Sequence, residues 1–284
     1  MSRTPLAALP TLSRRGIVLT LLALLTFLAL AHPTWAETDQ SETPENSASP
    51  LPSPTTPAPA ALAPAEEAAT LLGLPYHADG VLDDQDRWTY FARPEEVQET
   101  PGLNCSGLVV TAARKALSRS LPLGAMLRDR NRDSGPDAPG GQDWDFGFDL
   151  VLNVSQGLRR HELTPEGRSD VPENADGAGL RGFALENTEA WKKILPLLRP
   201  ECPCLLSFSR VRRGRLLHHH VGLLLADASG HVWFEQATRK NGVSRMDLAA
   251  PGGIERFLTQ QRLWPGTDAH VLIIEVEPLD TAAH

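Results

Sequence analysis

The sequence predicts an α+β fold, in which helices come first along the folded part of the chain and antiparallel strands follow. A helix is predicted from Ser106 to Leu117, where apolar residues recur at helical spacing and Asn104 stands in the capping position. After residue 203 the pattern changes to short apolar runs separated by turn-forming stretches such as 227–230. These runs predict four strands: Cys204 to Phe208, His219 to Ala226, His231 to Ala237 and His270 to Val276.

The other elements are predicted in outline. Two further helices are expected, Glu66 to Leu72 and Glu186 to Leu198. Residues 128–145, which are rich in Asp, Arg, Gly and Pro, and residues 163–180 are expected to be loops. Residues 148–156 are apolar, but their pattern does not decide between helix and strand.

The first 36 residues have the pattern of an export signal. Arg14 and Arg15 precede an unbroken apolar run from Gly16 to Ala31, and small residues at 34–36 suit a signal peptidase. We expect cleavage after Ala36, which leaves a periplasmic or secreted protein without stable membrane insertion. An uncleaved anchor is the alternative, although this run is shorter than the ~20 apolar residues that span a bilayer. The twin-arginine and general secretory routes both stay open.

Residues 37–65 form a region of different composition. Pro, Ser, Thr and Ala dominate it, and large apolar residues are nearly absent. Such a segment buries too little surface to offset its ordering entropy, so it is expected to be an extended linker. Residues 66–284 are then the folded domain.

Composition limits the classes of protein. The 284 residues contain 3 cysteines, too few for a disulfide framework, and 41% hydrophobic residues, enough for a packed core. Lys and Arg number 27 against 35 Asp and Glu, for a net charge of −8. This acidic balance argues against binding to nucleic acid.

Two segments have the residue types of thiol chemistry. Cys105 stands at the start of the predicted helix, where free N–H groups and the helix dipole favour a thiolate. His220 opens an apolar strand, and a base on a rigid strand opposite a helix-borne cysteine is what thiol activation needs. A half-cystine or a buried, unreactive thiol is the alternative for Cys105.

Both segments resemble those of a known family. The block Asn-Cys-Ser-Gly-Leu-Val at 104–109 resembles the Asp-Cys-Ser-Gly-Leu-Val block of the NlpC-type cell-wall peptidases, which are papain-like cysteine hydrolases. His-Val-Gly-Leu-Leu-Leu at 220–225, a turn, and the strand at 233–238 resemble the family's His-Val-Gly-Ile strand and its return strand. Asn104 replaces the usual Asp, and the separation of Cys105 from His220 implies an insertion at about 120–200.

The resemblance implies a papain-like fold, in which the cysteine helix packs on an antiparallel sheet that carries the histidine. It implies Cys105 as the nucleophile, His220 as the base and a third polar residue, usually His, Asn or Gln, that orients the imidazole. The implied activity is cleavage of an amide bond in the peptide stem of peptidoglycan. No metal or cofactor is implied, and substrate-binding residues are left unassigned.

The third residue depends on the hairpin register. A four-residue loop at 227–230 places Glu235 on the face of His220, whereas one more loop residue places Gln236 there, because a one-residue slip turns every side chain over. The small residues at 237–238 follow Gln236 as small residues commonly follow the family's third residue. Gln236 is therefore preferred, with Glu235 and His231 as alternatives.

The predicted chemistry is acyl transfer through a thioester, with the backbone N–H of Cys105 or Ser106 helping to bind the oxyanion. Two alternatives stay open. One is a papain-like amidase or acyltransferase that acts on another substrate. The other is a catalytically silent envelope-binding domain.

Several further groups have simpler interpretations. Cys202 and Cys204 are expected either to form a disulfide with each other or to stay as thiols. Zinc binding by these cysteines with His218 and His219 is disfavoured, because successive strand residues point to opposite faces. Three acidic residues are interpreted as part of a solvated loop (Asp143, Asp145, Asp149), and three aromatic residues with strand-like alternation as core or cleft residues (Trp144, Phe146, Phe148). A basic cluster is either a solvated hairpin tip or a contact for anionic stem-peptide carboxylates (Arg210, Arg212, Arg213, Arg215).

Overall fold

An antiparallel sheet forms the centre of the fold, with helices on both of its faces, and the α+β prediction is confirmed. The computed structural model describes residues 62–130, 132, 145–175, 182–212, 215–262 and 268–279. The predicted signal peptide at 1–36 and residues 37–61 of the predicted linker lie outside the described residues. Within the described ranges, no helix has the length and apolar character needed to cross a bilayer.

Six α-helices and ten strands are described in this part of the chain. The helices are α1 (Pro64–Ala69), α2 (Cys105–Ala116), α3 (Leu123–Met126), α4 (Phe146–Val154), α5 (Thr188–Ile194) and α6 (Gly253–Gln261). The strands are β1 (Gly80–Leu82), β2 (Trp88–Tyr90), β3 (Arg160–Thr164), β4 (Gly167–Asp170), β5 (Phe183–Ala184), β6 (Cys204–Arg212), β7 (Arg215–Ala226), β8 (Val232–Thr238), β9 (Gly242–Asp247) and β10 (Ala269–Val276).

The main sheet has the strand order β4-β3-β10-β6-β7-β8-β9, and β5 also pairs with β10. Side chains alternate between its two faces. One face packs against α1, α2, α3 and α4, and the other packs against α5 and α6. β1 and β2 form a separate two-stranded hairpin beside α2.

Local sequence determines where α2 begins. The Asn104 side chain accepts a hydrogen bond from the Gly107 N–H at 2.7 Å, which confirms the predicted cap. A Cβ on Gly107 would lie 1.9 Å from the Gly80 carbonyl oxygen, so glycine allows the helix start to pack directly on the β1 backbone. Cys105 is thereby fixed as the first residue of the helix.

The described part of residues 120–200 is built into the core. α4 packs on β6, β7 and α2. It includes residues 148–154, whose type the sequence left open. The strand-like alternation inferred for Phe146 and Phe148 is wrong, because both lie on α4 against the core; Trp144 lies outside the described residues.

Two other predicted elements differ from the structure. The prediction of a loop at 163–180 is wrong for the first part of this range, because β3 and β4 form a hairpin there and β3 pairs with β10. The sequence signal for this hairpin is weak, because β4 is short and polar. The helix expected from Glu186 to Leu198 is α5 followed by a 3₁₀ turn at Leu195–Leu197, where Pro196 supplies no N–H.

The boundaries of the remaining predicted elements shift by a few residues. α1 begins at Pro64, two residues before the predicted start, because proline suits the first turn of a helix. β6 and β7 extend toward each other beyond the predicted strands. β9 and α6 were not predicted.

Candidate active site

The site is built around Cys105, which is half-buried at the N-terminus of α2. Burial opposes ionisation of the thiol, but the pKa of Cys105 is nevertheless lowered, because the His220 side chain hydrogen-bonds to it and contributes a favourable charge. The Val221 N–H and the Ser106 hydroxyl also donate to the sulfur. These three groups together favour the thiolate.

His220 lies on β7 at an irregularity of the sheet. The register between β6 and β7 shifts between Phe208 and Ser209, so that Phe208 pairs with His220 and Ser209 pairs with His218. The His220 ring packs on the Phe208 ring, with centroids 5.7 Å apart. A bulge of this kind re-aims a side chain, and here the imidazole reaches the helix start.

Gln236 is the polar partner of His220. The distance between Gln236 Oε1 and His220 Nε2 is 3.0 Å. Since Nε2 is occupied by the amide, Nδ1 is the nitrogen that remains for the Cys105 thiol. The structure therefore brings together the three residues singled out from the sequence: Cys105, His220 and Gln236.

The register of the β7–β8 hairpin explains why Gln236, and not Glu235, contacts His220. Ala226 pairs with Val232 and Leu223 pairs with Glu235, so the loop takes five residues, 227–231. This is the second of the two registers considered from the sequence. It places Gln236 on the face of His220, whereas Glu235 points to the opposite face.

Gly222 permits the close approach of the two strands. A Cβ at this position would lie 2.9 Å from the Glu235 carbonyl oxygen and 2.8 Å from the Phe234 ring. Any side chain at 222 would push β8 away and draw Gln236 out of reach of His220. Close packing of β7 against β8 therefore requires a glycine at position 222.

The two alternatives to Gln236 lie elsewhere. Glu235 is fully buried, neither of its carboxylate oxygens has a partner within the described chain, and burial raises its pKa to about 7 despite Arg245. His231 lies at the far end of the hairpin, where its Nδ1 is 2.7 Å from Asp247 Oδ2. Neither side chain is placed to orient His220.

One participant was missed by sequence reasoning. Gln261, on the last turn of α6, donates from Nε2 to Gln236 Oε1 at 3.0 Å, and its side chain is buried. A signal for it exists in the sequence, because Ile254, Phe257, Leu258 and Gln261 recur at the i, i+3, i+4, i+7 spacing of a core-facing helix stripe. A glutamine at a core position of such a stripe indicates a buried polar partner.

Two backbone donors lie beside the sulfur. The Gly107 N–H is taken by Asn104, and the Leu108 N–H bonds to the Asn104 carbonyl. Within the described chain, the N–H groups of Cys105 and Ser106 have no acceptor. Unpaired N–H groups at a helix start are suited to bind a developing oxyanion.

An open, polar pocket of about 250 Å³ adjoins the imidazole and its amide partner. It is lined by His219, His220, Gln236, Thr238, Gln260 and Gln261. Hydroxyl, amide and imidazole groups in such a lining can hydrogen-bond to a polar, peptide-like ligand.

The neighbouring histidines and cysteines do not converge on a metal site. His218 packs on Phe146 of α4, with ring centroids 6.0 Å apart, while His219 contacts Phe208. In the described ranges, no group of three or more His, Cys, Asp or Glu side chains is arranged to hold a metal ion. Cys202 and Cys204 are free, buried thiols rather than a disulfide.

The acidic and basic groups also have structural positions. Asp145 and Asp149 are buried at the start of α4, so the solvated acidic loop is wrong at these two positions; Asp143 lies outside the described residues. Burial raises the pKa of Asp149 to about 7, although its Oδ2 accepts the Arg130 N–H at 2.7 Å. Arg210 lies on β6, and the tip at 213–214 lies outside the described residues.

Comparison with protein-family models, with curated protein sequences and with solved structures gives no match.

Proposed function

We propose that this protein is an exported, papain-like cysteine hydrolase that cleaves an amide bond in the peptide stem of peptidoglycan. The observation that carries the proposal is the chain of contacts from Cys105 to His220 to Gln236. It combines a thiol of lowered pKa at a helix start, an imidazole in contact with it and an amide 3.0 Å behind the imidazole.

The first half-reaction forms a thioester. His220 takes the thiol proton through Nδ1, and the Cys105 sulfur attacks the carbonyl carbon of the scissile amide. The N–H groups of Cys105 and Ser106 stabilise the oxyanion of the tetrahedral intermediate. His220 then gives its proton to the departing amine as the C–N bond breaks.

The second half-reaction returns the free enzyme. A water molecule, deprotonated by His220, attacks the thioester carbonyl, and the carboxylic acid leaves as the proton returns to Cys105. Gln236 accepts the Nε2–H of His220 in both halves and holds the ring in place. As a neutral amide, it does so without the added stabilisation that a carboxylate gives to an imidazolium.

The choice of peptidoglycan rests on two further observations. The segments around Cys105 and His220 resemble those of the NlpC-type peptidases, and the N-terminal 36 residues have the pattern of an export signal. Thiol chemistry outside the cytoplasm with this pair of motifs fits a cell-wall amide better than an intracellular substrate. The polar pocket beside the imidazole suits a hydrophilic peptide.

The test is digestion of purified peptidoglycan by the full chain, produced with its own N-terminus, with mass analysis of the released fragments. Wild type is compared with Cys105→Ala and with the matched control Cys202→Ala, which removes a buried thiol outside the site. We expect wild type and Cys202→Ala to release a peptide fragment and Cys105→Ala to release none.

Other results reject the proposal in different ways. Absence of release by wild type, from intact sacculi and from soluble muropeptides, together with rapid alkylation of Cys105, would rule out the peptidoglycan substrate and favour an amidase or acyltransferase on another amide. Absence of release with slow alkylation would favour a catalytically silent envelope-binding domain.

A further inference from the structure

Gln236 Oε1 accepts two hydrogen bonds in the site. One partner is His220 Nε2 and the other is Gln261 Nε2, each at 3.0 Å. Both amide side chains are buried, with exposed fractions of 3% for Gln236 and 8% for Gln261. Gln236 Oε1 therefore has both of its hydrogen-bond partners within the protein.

The orientation of Gln236 decides the tautomer of His220. With Oε1 facing the ring, Nε2 must carry the proton, which leaves Nδ1 as a base toward Cys105. If the amide turned over, its NH₂ group would donate to Nε2. Nδ1 would then carry the proton and could not accept one from the thiol.

Gln261 disfavours that turned arrangement. Its Nε2 points at the same oxygen, so turning Gln236 over would bring two NH₂ groups together in a buried site. Gln236 alone has no preference of this kind, since both ends of an amide can hydrogen-bond to a neutral imidazole.

α6 holds Gln261 rigidly in this position. Phe257, one turn earlier on the same helix, is fully buried between Trp191 and Phe234, with ring centroids 4.9 and 4.8 Å away. Phe234 belongs to β8, two residues before Gln236. The aromatic contacts thus fix the helix to the strand that carries the amide partner.

We propose that Gln261 is a positioning residue that fixes the amide of Gln236 and, through it, the Nε2–H tautomer of His220. This inference rests on the proposed thiol chemistry. The titratable groups close to His220 are Cys105 on α2 and His218 and His219 on the same strand. Burial lowers the pKa of His218 to about 3 and that of His219 to about 4, so both are neutral near pH 7.

The test uses Gln261→Met, which keeps the volume of the side chain and removes the donor, in the full chain. Gln260→Met is the matched control, because Gln260 is the next residue on α6, lines the same pocket and is exposed. ¹⁵N NMR of labelled histidine, recorded at a pH at which the imidazole is neutral, reports the tautomer of His220, and alkylation by iodoacetamide reports the reactivity of Cys105. Neither readout requires a peptidoglycan substrate.

We expect the Nε2–H tautomer in wild type and in Gln260→Met, and a mixture of tautomers in Gln261→Met. Alkylation of Cys105 at pH 7 should slow about fivefold in Gln261→Met, as expected for the loss of one hydrogen bond. Two results would overturn the inference: a pure Nε2–H tautomer in Gln261→Met, or an Nδ1–H tautomer in wild type, which would mean that both amides are turned over.

A second background separates positioning from packing. Gln236→Glu presents an oxygen to His220 in either orientation, so Gln261 should no longer matter for the tautomer. We expect Gln236→Glu with Gln261→Met to keep the pure Nε2–H form. An equal effect of Gln261→Met in both backgrounds would mean that it acts through packing and would reject the inference, whereas slow alkylation of Cys105 already in wild type would reject the proposed function itself.

Discussion

Two regions of this protein place cysteines among charged and polar side chains, with opposite results. At the start of α2, the pKa of Cys105 is lowered despite its burial. Near the start of β6, burial raises the pKa of Cys202 to about 12, and burial together with Glu275 raises that of Cys204 well above its ordinary value. Both regions contain cations, so the presence of a cation alone does not explain the difference.

The difference lies in what each cation is paired with. Arg168 and Arg199 both bind the buried carboxylate of Glu275, at 2.6 and 2.8 Å, so their charges are compensated and the carboxylate itself opposes a thiolate. His220, beside Cys105, is held by the neutral amide of Gln236, so the charge of its protonated form remains available to the sulfur. A neutral orienting group therefore does not compete with the Cys105 thiolate for the positive charge of His220.

The largest expected effect is on the alkylation of Cys105. His220→Ala removes the hydrogen bond and the charge that favour the Cys105 thiolate, so its alkylation at pH 7 should fall about 100-fold or more. Mass analysis of labelled peptides measures the rate at each cysteine. Cys202 and Cys204 should be unchanged, and an unchanged rate at Cys105 would remove the basis of the comparison.

The next effect is on stability in the other region. Glu275→Gln leaves two arginines without their buried partner, and it should lower the free energy of unfolding by about 4 kcal/mol. Urea unfolding measures this change, with Glu277→Gln as the more exposed control. Alkylation of Cys105 in the folded variant should stay at the wild-type rate; a large change there would show that the two regions are coupled.

A similar or slightly smaller effect concerns Glu235, the buried neighbour of Gln236. Its pKa of about 7 in the folded state lies above the ordinary 4.5, so the native state holds more protons. Stability is then full below about pH 4.5 and is lost as pH rises through 7, by about 3 kcal/mol at pH 8. Glu235→Gln should remove this part of the slope in thermal unfolding between pH 5 and pH 8 and leave the part due to Asp149, whose pKa is also about 7. A slope equal to that of wild type would contradict the assignment.

The smallest expected effect sharpens the comparison directly. Gln236→Glu replaces the neutral orienting group with a carboxylate, which should stabilise the imidazolium form of His220. The high-pH limb of the fragment-release profile should move upward, while the rate at its optimum changes by less than about tenfold. A profile that does not move would mean that residue 236 does not sense the charge of His220.

The central residues of the candidate site could be predicted because local patterns specify them. The capping Asn104, the apolar stripe of α2 and the apolar run at 221–225 position Cys105 and His220 without reference to distant parts of the chain. The prediction of Gln236 depended on which of two hairpin registers forms. The hairpin loop is one residue longer than the turn-forming stretch 227–230, and this length places Gln236 on the face of His220.

Other features depend on contacts between distant segments. β4 is short, polar and exposed, and β3 is recognised as a strand by its pairing with β10, more than 100 positions away. Gln261 is part of the site because the aromatic contacts of Phe257 place α6 against β8. Its helix stripe could have indicated a buried polar group, but the identity of its partner follows from the tertiary structure.

The most direct test of this account is alkylation of the native wild-type chain between pH 5 and pH 10, with the modification of all three cysteines quantified in each sample. We expect Cys105 to react with a midpoint below the ordinary thiol value of about 8.5, while Cys202 and Cys204 stay unmodified over the same range. A midpoint for Cys105 at or above that value would contradict the claim that His220 and its neutral partner activate the thiol.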